Sequence, residues 1–145
     1  MLHSVSSSTL LSLALCVAAS APAVAEPDRL SLQVGGVPVR AEYAASDAAR
    51  QRGLMQRERL PDGEGMLLHF PTSARQCLWM KNTPLPLSAA FIDEHGRIVD
   101  LIDLEPLSLE IHCSTEPARY ALEVPQGWFE RNGVSSGAEV TGLPD

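Results

Sequence analysis

Beyond one stretch near its start, this chain has no long apolar run, and without one it has no segment suited to cross a bilayer core of roughly 30 Å as a helix. Basic charge is also scarce. Eleven Lys and Arg face eighteen Asp and Glu, a formal net charge of -7, so nucleic acid and anionic membrane surfaces would repel the protein at long range. After the first 25 residues, repeats, charge blocks and low-complexity tracts are absent. So are a serine nucleophile elbow, zinc-type His/Glu spacing and a phosphate-cradling glycine loop, which removes the reaction classes those motifs announce. Lysine occurs once, as Lys81.

The one apolar stretch is Leu10-Leu11-Ser12-Leu13-Ala14-Leu15-Cys16-Val17-Ala18-Ala19, followed by Ala23-Val24-Ala25. A short apolar segment ending in a small-x-small triplet reads as a signal peptide over residues 1–25, cleaved after Ala25. Its n-region carries His3 and the terminal amine, without Lys or Arg. Cys16 raises the question of lipidation; Leu15 before it argues against that processing, which needs a small residue there. Residues 26–145 then suffice for a single globular domain, periplasmic or secreted, with no integral membrane segment after processing. Cys77 and Cys113 remain, and an oxidising compartment favours a disulfide between them over two separate buried thiols. Closing that loop would stabilise the fold by roughly 3–4 kcal/mol in the chain-entropy model.

Pro and Gly fall as punctuation between short periodic segments, which favours β structure. Leu30 to Val34 and Val37 to Tyr43 alternate around Gly35-Gly36, the pattern of an opening hairpin, with Pro38 restricted to an edge or to a strand's first residues. Ser46 is placed to cap a helix over Asp47 to Arg52, with Gly53 available for its exit. Further strands are expected over Met66 to Phe70, Arg75 to Met80, Leu87 to Asp93, Arg97 to Leu104, Arg119 to Val124 and near Ala138 to Thr141. Asp93-Glu94-His95-Gly96 supplies a hairpin loop, 105–117 a long loop tethered by Cys113, and Gln126 to Arg131 a short helix. The expected fold is α+β and β-rich: a small barrel-like or highly curved, mainly antiparallel sheet with one or two short helices.

Several of these segments form a recognisable pattern: Arg50-x-Arg52-Gly53-Leu54-Met55, Gly65-Met66-Leu67-Leu68-His69-Phe70, Trp79-Met80-Lys81-Asn82-Thr83, and Leu122-Glu123 with a following Gly127. The chain resembles, over essentially all of the mature length, the bacterial and archaeal family catalogued as domain of unknown function one hundred and ninety-two. Trp-Met-Lys-Asn-Thr is the most specific element of the likeness. The resemblance implies a small β-rich fold with a helix, often exported, and carries no activity with it. Ser88 stands where many such sequences place an aspartate after Pro-Leu, and His69 where an apolar or acidic residue is more usual.

On a pleated strand Cys77, Trp79 and Lys81 share one face, and Leu78, Met80 and Asn82 the other. Both faces begin apolar. That describes a central strand covered on both sides and emerging into a polar pocket, where an amine would lose solvation and seek a carboxylate or carbonyl partner, or else lower its proton affinity. Asp93 and Glu123 are the expected partners of Lys81, ahead of Asp100 and Asp103. Lys81, Asn82, Thr83 and Arg52 would then form a site for a small anion or polyol. The plain alternative is a buried ion pair with Asn82 and Thr83 bonding the backbone before Pro84.

Met55, Met66 and Met80, with His69 or His112, could offer soft ligands to copper(I), although methionines beside Leu or Trp usually fill core gaps. His112 beside Cys113 would need a free thiolate to act as a nucleophilic pair, which a disulfide abolishes. Trp79 and Trp128 could stack sugar rings; core packing is the expectation for Trp79, and adjacent Trp128 and Phe129 are not expected both to face inward. The leading functional expectation is an exported binding module for a small polar ligand or an envelope protein, needing no cofactor. The alternatives are an envelope hydrolase or lyase using Lys81 with a carboxylate, and a copper-handling protein.

Overall fold

The computed structural model describes Ala21 and residues 28–145; the leader expected over residues 1–25 lies, but for Ala21, outside the described residues. β1 (Arg29–Val34) and β2 (Val37–Ala44) form the opening hairpin, with Gly35 and Gly36 both at positive φ as a tight turn between twisted strands requires. Pro38 lies at the second position of β2, before the pairing of that strand with β3 begins at Arg40, so its missing N–H interrupts nothing on that side. Helix α1 (Asp47–Arg52) follows. The Ser46 hydroxyl accepts from Ala49 N, and the chain leaves through Gly53 at φ 46.

β3 (Glu64–Ala74) returns parallel to β2, so α1 and the segment after it cross one face of the sheet. β3 is longer than its apolar run Met66 to Phe70, because it bulges between His69 and Ala74 and continues against β8. The other strands of the main sheet pair antiparallel: β5 (Leu87–Ile92), β6 (Ile98–Leu104), β8 (Ala118–Pro125) and β9 (Val140–Thr141). The sheet runs β6-β5-β8-β3-β2-β1-β9. It curls until its two edges meet at one corner, where Arg97 bridges Glu139 and Val140 N donates to Gly96 O. This is the β-rich α+β architecture expected, a curled half-barrel with two short helices.

Two differences matter for the site. The strand expected over Arg75 to Met80 contracts to β4 (Cys77–Leu78), which pairs only with β7 (His112–Cys113) in a separate ribbon. Backbone geometry is the reason: Met80 N donates to Ser108 O, and Asn82 sits at φ 54, so the chain turns before a longer ladder can form. Helix α2 (Trp128–Arg131) buries both Trp128 and Phe129, edge to face with centroids 5.4 Å apart, contrary to the expectation that one would be exposed.

The core has two compartments. Leu32, Val39, Leu67, Ile92, Leu122 and Trp128 fill the concave interior; Leu54, Leu68, Leu78, Met80, Leu87 and Phe91 pack between the convex face and the covering layer of α1, its following loop and β4. β5 is buried along its entire length because it is covered on both sides. Ser88, on that strand, donates to Asp103 (2.5 Å) and accepts from Gly127 N (2.9 Å), a local role for the hydroxyl at this position. Gly65 lets β3 approach β8 closely: a Cβ there would lie 2.5 Å from the Glu123 carbonyl oxygen. Replacing Gly65 by Ala should therefore cost about 1–3 kcal/mol in urea unfolding, without loss of the folded spectrum. A neutral substitution would show that β3 can move away from β8.

Candidate functional site

Alternation along β8 decides where the site lies. Leu122 and Val124 point into the concave core, so Glu123 points outward, beneath the covering layer. Its register neighbours are Met66 on β3 and Ala89 on β5. The carboxyl opens into a cavity of about 310 Å³ lined from α1 by Asp47, Arg50, Gln51 and Arg52, and from the chain around β4 by Leu78, Trp79 and Thr83, with Leu68 and Phe70 also in the lining. Glu123 is only 6% exposed and makes no hydrogen bond or ion pair among the described residues. Burial therefore raises its pKa to about 7, since nothing nearby repays the loss of solvation of the charged form.

The helix lining the opposite wall is held firmly. Arg50 donates to the carbonyls of Ala45 and His69 and pairs with Asp47, leaving its charge largely answered. Arg52 is exposed and has no ion-pair partner among the described residues. Thr83 is buried, its hydroxyl donating to Lys81 O at 3.1 Å. Trp79, expected in the core, is 44% exposed and forms part of the cavity lining; it can stand there because β4 ends one residue earlier.

Lys81 does not meet any of its expected acids. Its Nζ lies over the Trp79 ring, 5.2 Å from the centroid, a cation-π contact at an exposed position. With Asn82 it lines an adjoining hollow that shares Gln51, Arg52, Met55 and Trp79 with the first. Asp93 lies in the β5-β6 turn, where its carboxylate accepts from His95 N and Arg97 N; Asp100 binds Thr115 and Asp103 binds Ser88. Thus Arg52, Thr83 and Glu123 share one cavity, Lys81 and Asn82 the next, and Asp93 neither. Sequence reasoning did not assemble Asp47, Arg50 and Gln51 with them. The available signal was Glu123 itself, an acid set within the apolar strand Tyr120-Ala121-Leu122-Glu123-Val124.

The Cys77–Cys113 disulfide is formed, joining paired residues of β4 and β7 across a sequence separation of 36, and Cys77 is part of the cavity wall. His112 therefore has no thiolate beside it. Met66 and Met80 are buried among core side chains while Met55 lines the cavity. No group of three or more His, Cys, Asp or Glu is placed to hold a metal among the described residues. His69 is buried against Tyr120, its Nδ1 2.7 Å from the Tyr43 hydroxyl. Burial, then Arg119 and Arg50, lower its pKa.

The chain belongs to the family DUF192, described as Uncharacterized ACR, whose model matches residues 30–142. Two of the solved structures similar to it are informative. One is a candidate transcription regulator from Sinorhizobium meliloti, 31% identical, with TM-score 0.78, covering 82% of this chain and 97% of that one. The other is a protein of unknown function from Novosphingobium aromaticivorans, 28% identical, with TM-score 0.77, covering 84% of this chain and 93% of that one. No curated protein matches the chain.

Two measurements check this geometry. Between pH 4.5 and 7 the unfolded chain releases the Glu123 proton that the folded chain retains, so this residue's contribution to stability falls as pH rises. Relative to Glu123→Gln, the wild type should lose about 3 kcal/mol between pH 4 and pH 8 in denaturant unfolding; parallel profiles would mean the carboxyl is already satisfied. Replacing both Cys77 and Cys113 by Ser should lower stability by about 3–4 kcal/mol, read as a shifted unfolding midpoint.

Proposed function

We propose that this chain is an exported binding module for a small polar ligand, with the ligand seated over Glu123 between α1 and β8 and not on Lys81. The observation that carries this reading is a buried carboxyl without a partner among the described residues, opening into a cavity of about 310 Å³. A buried polar group left unpaired costs free energy, and a ligand group can supply what the fold withholds. Trp79 at the rim provides a flat apolar surface beside the polar groups of Gln51, Arg52 and Thr83.

Export is supported by the leader pattern and by the Cys77–Cys113 bond, which oxidising compartments favour. Among the described residues no helix is long and apolar enough to cross a membrane. Regulation of transcription is a description of the Sinorhizobium protein; the net charge of -7 here argues against a direct grip on nucleic acid.

A second reading, acid-base catalysis, is favoured by one observation: a carboxyl held near neutrality can both give and take a proton at physiological pH. In that case the acid is Glu123 alone, because Lys81 has no carboxylate partner among the described residues.

Differential scanning fluorimetry of the purified protein against envelope metabolites tests the binding reading. A compound that favours the native state at 100 times its Kd should stabilise by about 2.7 kcal/mol. The shift should vanish in Glu123→Gln and persist in Lys81→Met. A response lost in Lys81→Met and kept in Glu123→Gln would move the site to the adjoining hollow. Turnover of a bound compound, abolished in Glu123→Gln while binding survives, would select catalysis.

A further inference from the structure

We propose that the ligand is a free amino acid, its primary ammonium docking on Glu123 and its carboxylate on Arg52 at the mouth of the cavity. This rests on the binding reading above and adds the chemical class. The first support is charge: Glu123 is more than nine-tenths buried, lacks any cationic partner among the described residues, and opens into the cavity. An ammonium group is its natural complement, since a charge pair in a desolvated pocket with good hydrogen bonds is far stronger than in water.

The second support comes from the same face of the sheet. Glu42, Met66 and Glu123 are aligned across β2, β3 and β8. Glu42 receives both guanidinium nitrogens of Arg57 at 2.9 and 2.7 Å, with Arg29 nearby. Glu123, one strand beyond Met66, receives no cation among the described residues. The third support is Arg52, an exposed guanidinium on the same cavity wall with no ion-pair partner among the described residues, whereas its neighbour Arg50 is occupied by Asp47 and two carbonyls. An acid within and a base at the rim, neither held in an ion pair among the described residues although the Arg52 charge also reaches Glu42, complement in sign the two ends of a zwitterion. Trp79 borders the space left for the side chain.

The other elements around Glu123 do not compete for the ammonium. Met66 and Ala89 flank it on β3 and β5, Gly53, Leu54 and Met55 follow the helix, and Trp79 and Thr83 are uncharged. Asp47 is engaged with Arg50, and Lys81 faces the adjoining hollow. Docking an ammonium requires Glu123 to release its proton, so affinity should rise about tenfold per pH unit up to roughly pH 7 and then level.

Isothermal titration with phenylalanine, phenethylamine, phenyllactate and glucose is the test. Phenylalanine should bind tightest; phenethylamine should bind about tenfold weaker, and phenyllactate and glucose undetectably. Arg52→Ala should remove the advantage of phenylalanine over phenethylamine, while Glu123→Gln should abolish binding of both and remove the pH dependence. Binding of phenyllactate or glucose as tight as that of phenylalanine overturns the amino-acid assignment and leaves the pocket as a site for polar ligands. If glycine, lysine, glutamate and phenylalanine all fail while another envelope metabolite binds through Glu123, the assignment also fails and the pocket stands. If a wide metabolite panel gives no binding through Glu123, both fail.

Discussion

The structure turns on the double burial of the three central strands β3, β8 and β5. A strand covered on one face can send every second residue to water; a strand covered on both cannot, so any polar side chain on it must find a partner or remain unsatisfied. β8 exposes this constraint at one position. Its inner residues fill the half-barrel, and its outer ones lie beneath α1 and β4, a layer that the Cys77–Cys113 bond helps to fasten. Glu123 is thereby enclosed, and the covering layer is not packed tightly enough over it to close the space.

Much of this architecture was legible in the sequence because it rests on local chemistry. Gly35-Gly36 and Asp93 to Gly96 specify turns whatever surrounds them, and Ser46 with Gly53 bounds a helix whose observed limits are Asp47 and Arg52. The disulfide could be expected from cysteine count and the expected compartment, since Cys77 and Cys113 are the two cysteines that follow the segment read as a leader. The parallel return of β3 beside β2 depends on long-range pairing that no local pattern encodes.

The misplaced strand has a different cause. Cys77 to Met80 has the composition of a central strand, yet it serves as a lid: its backbone bonds go to β7 and to Ser108, outside the main sheet. Apolar residues on both faces of a segment can mean a covered strand or a short piece wedged between a sheet and solvent, and periodicity does not separate the two. Assigning Trp79 to the core followed from that ambiguity, as did placing Lys81 at the lip of a buried strand. Glu123 was identifiable from sequence, but only as an acid for Lys81; its isolation depends on which side chains the fold brings near it.

That isolation is best judged against Glu42. Both acids are 6% exposed, and both lie on the convex face of the same sheet with Met66 between them. The hydrogen bonds from Arg57 hold Glu42 below the usual carboxylate range, whereas burial alone pushes Glu123 up to about 7. The fold can thus deliver a guanidinium in two-pronged geometry to one carboxylate and leave the other empty two strands away. An apolar residue at 123 would spare the fold that cost, as the burial of Met66 and Ala89 beside it shows. Asp47, Arg50 and Arg52 line the same cavity, but Glu123 is the one among them that is buried beneath the covering layer with no hydrogen bond or ion pair among the described residues, and the proposed ligand site rests on that contrast.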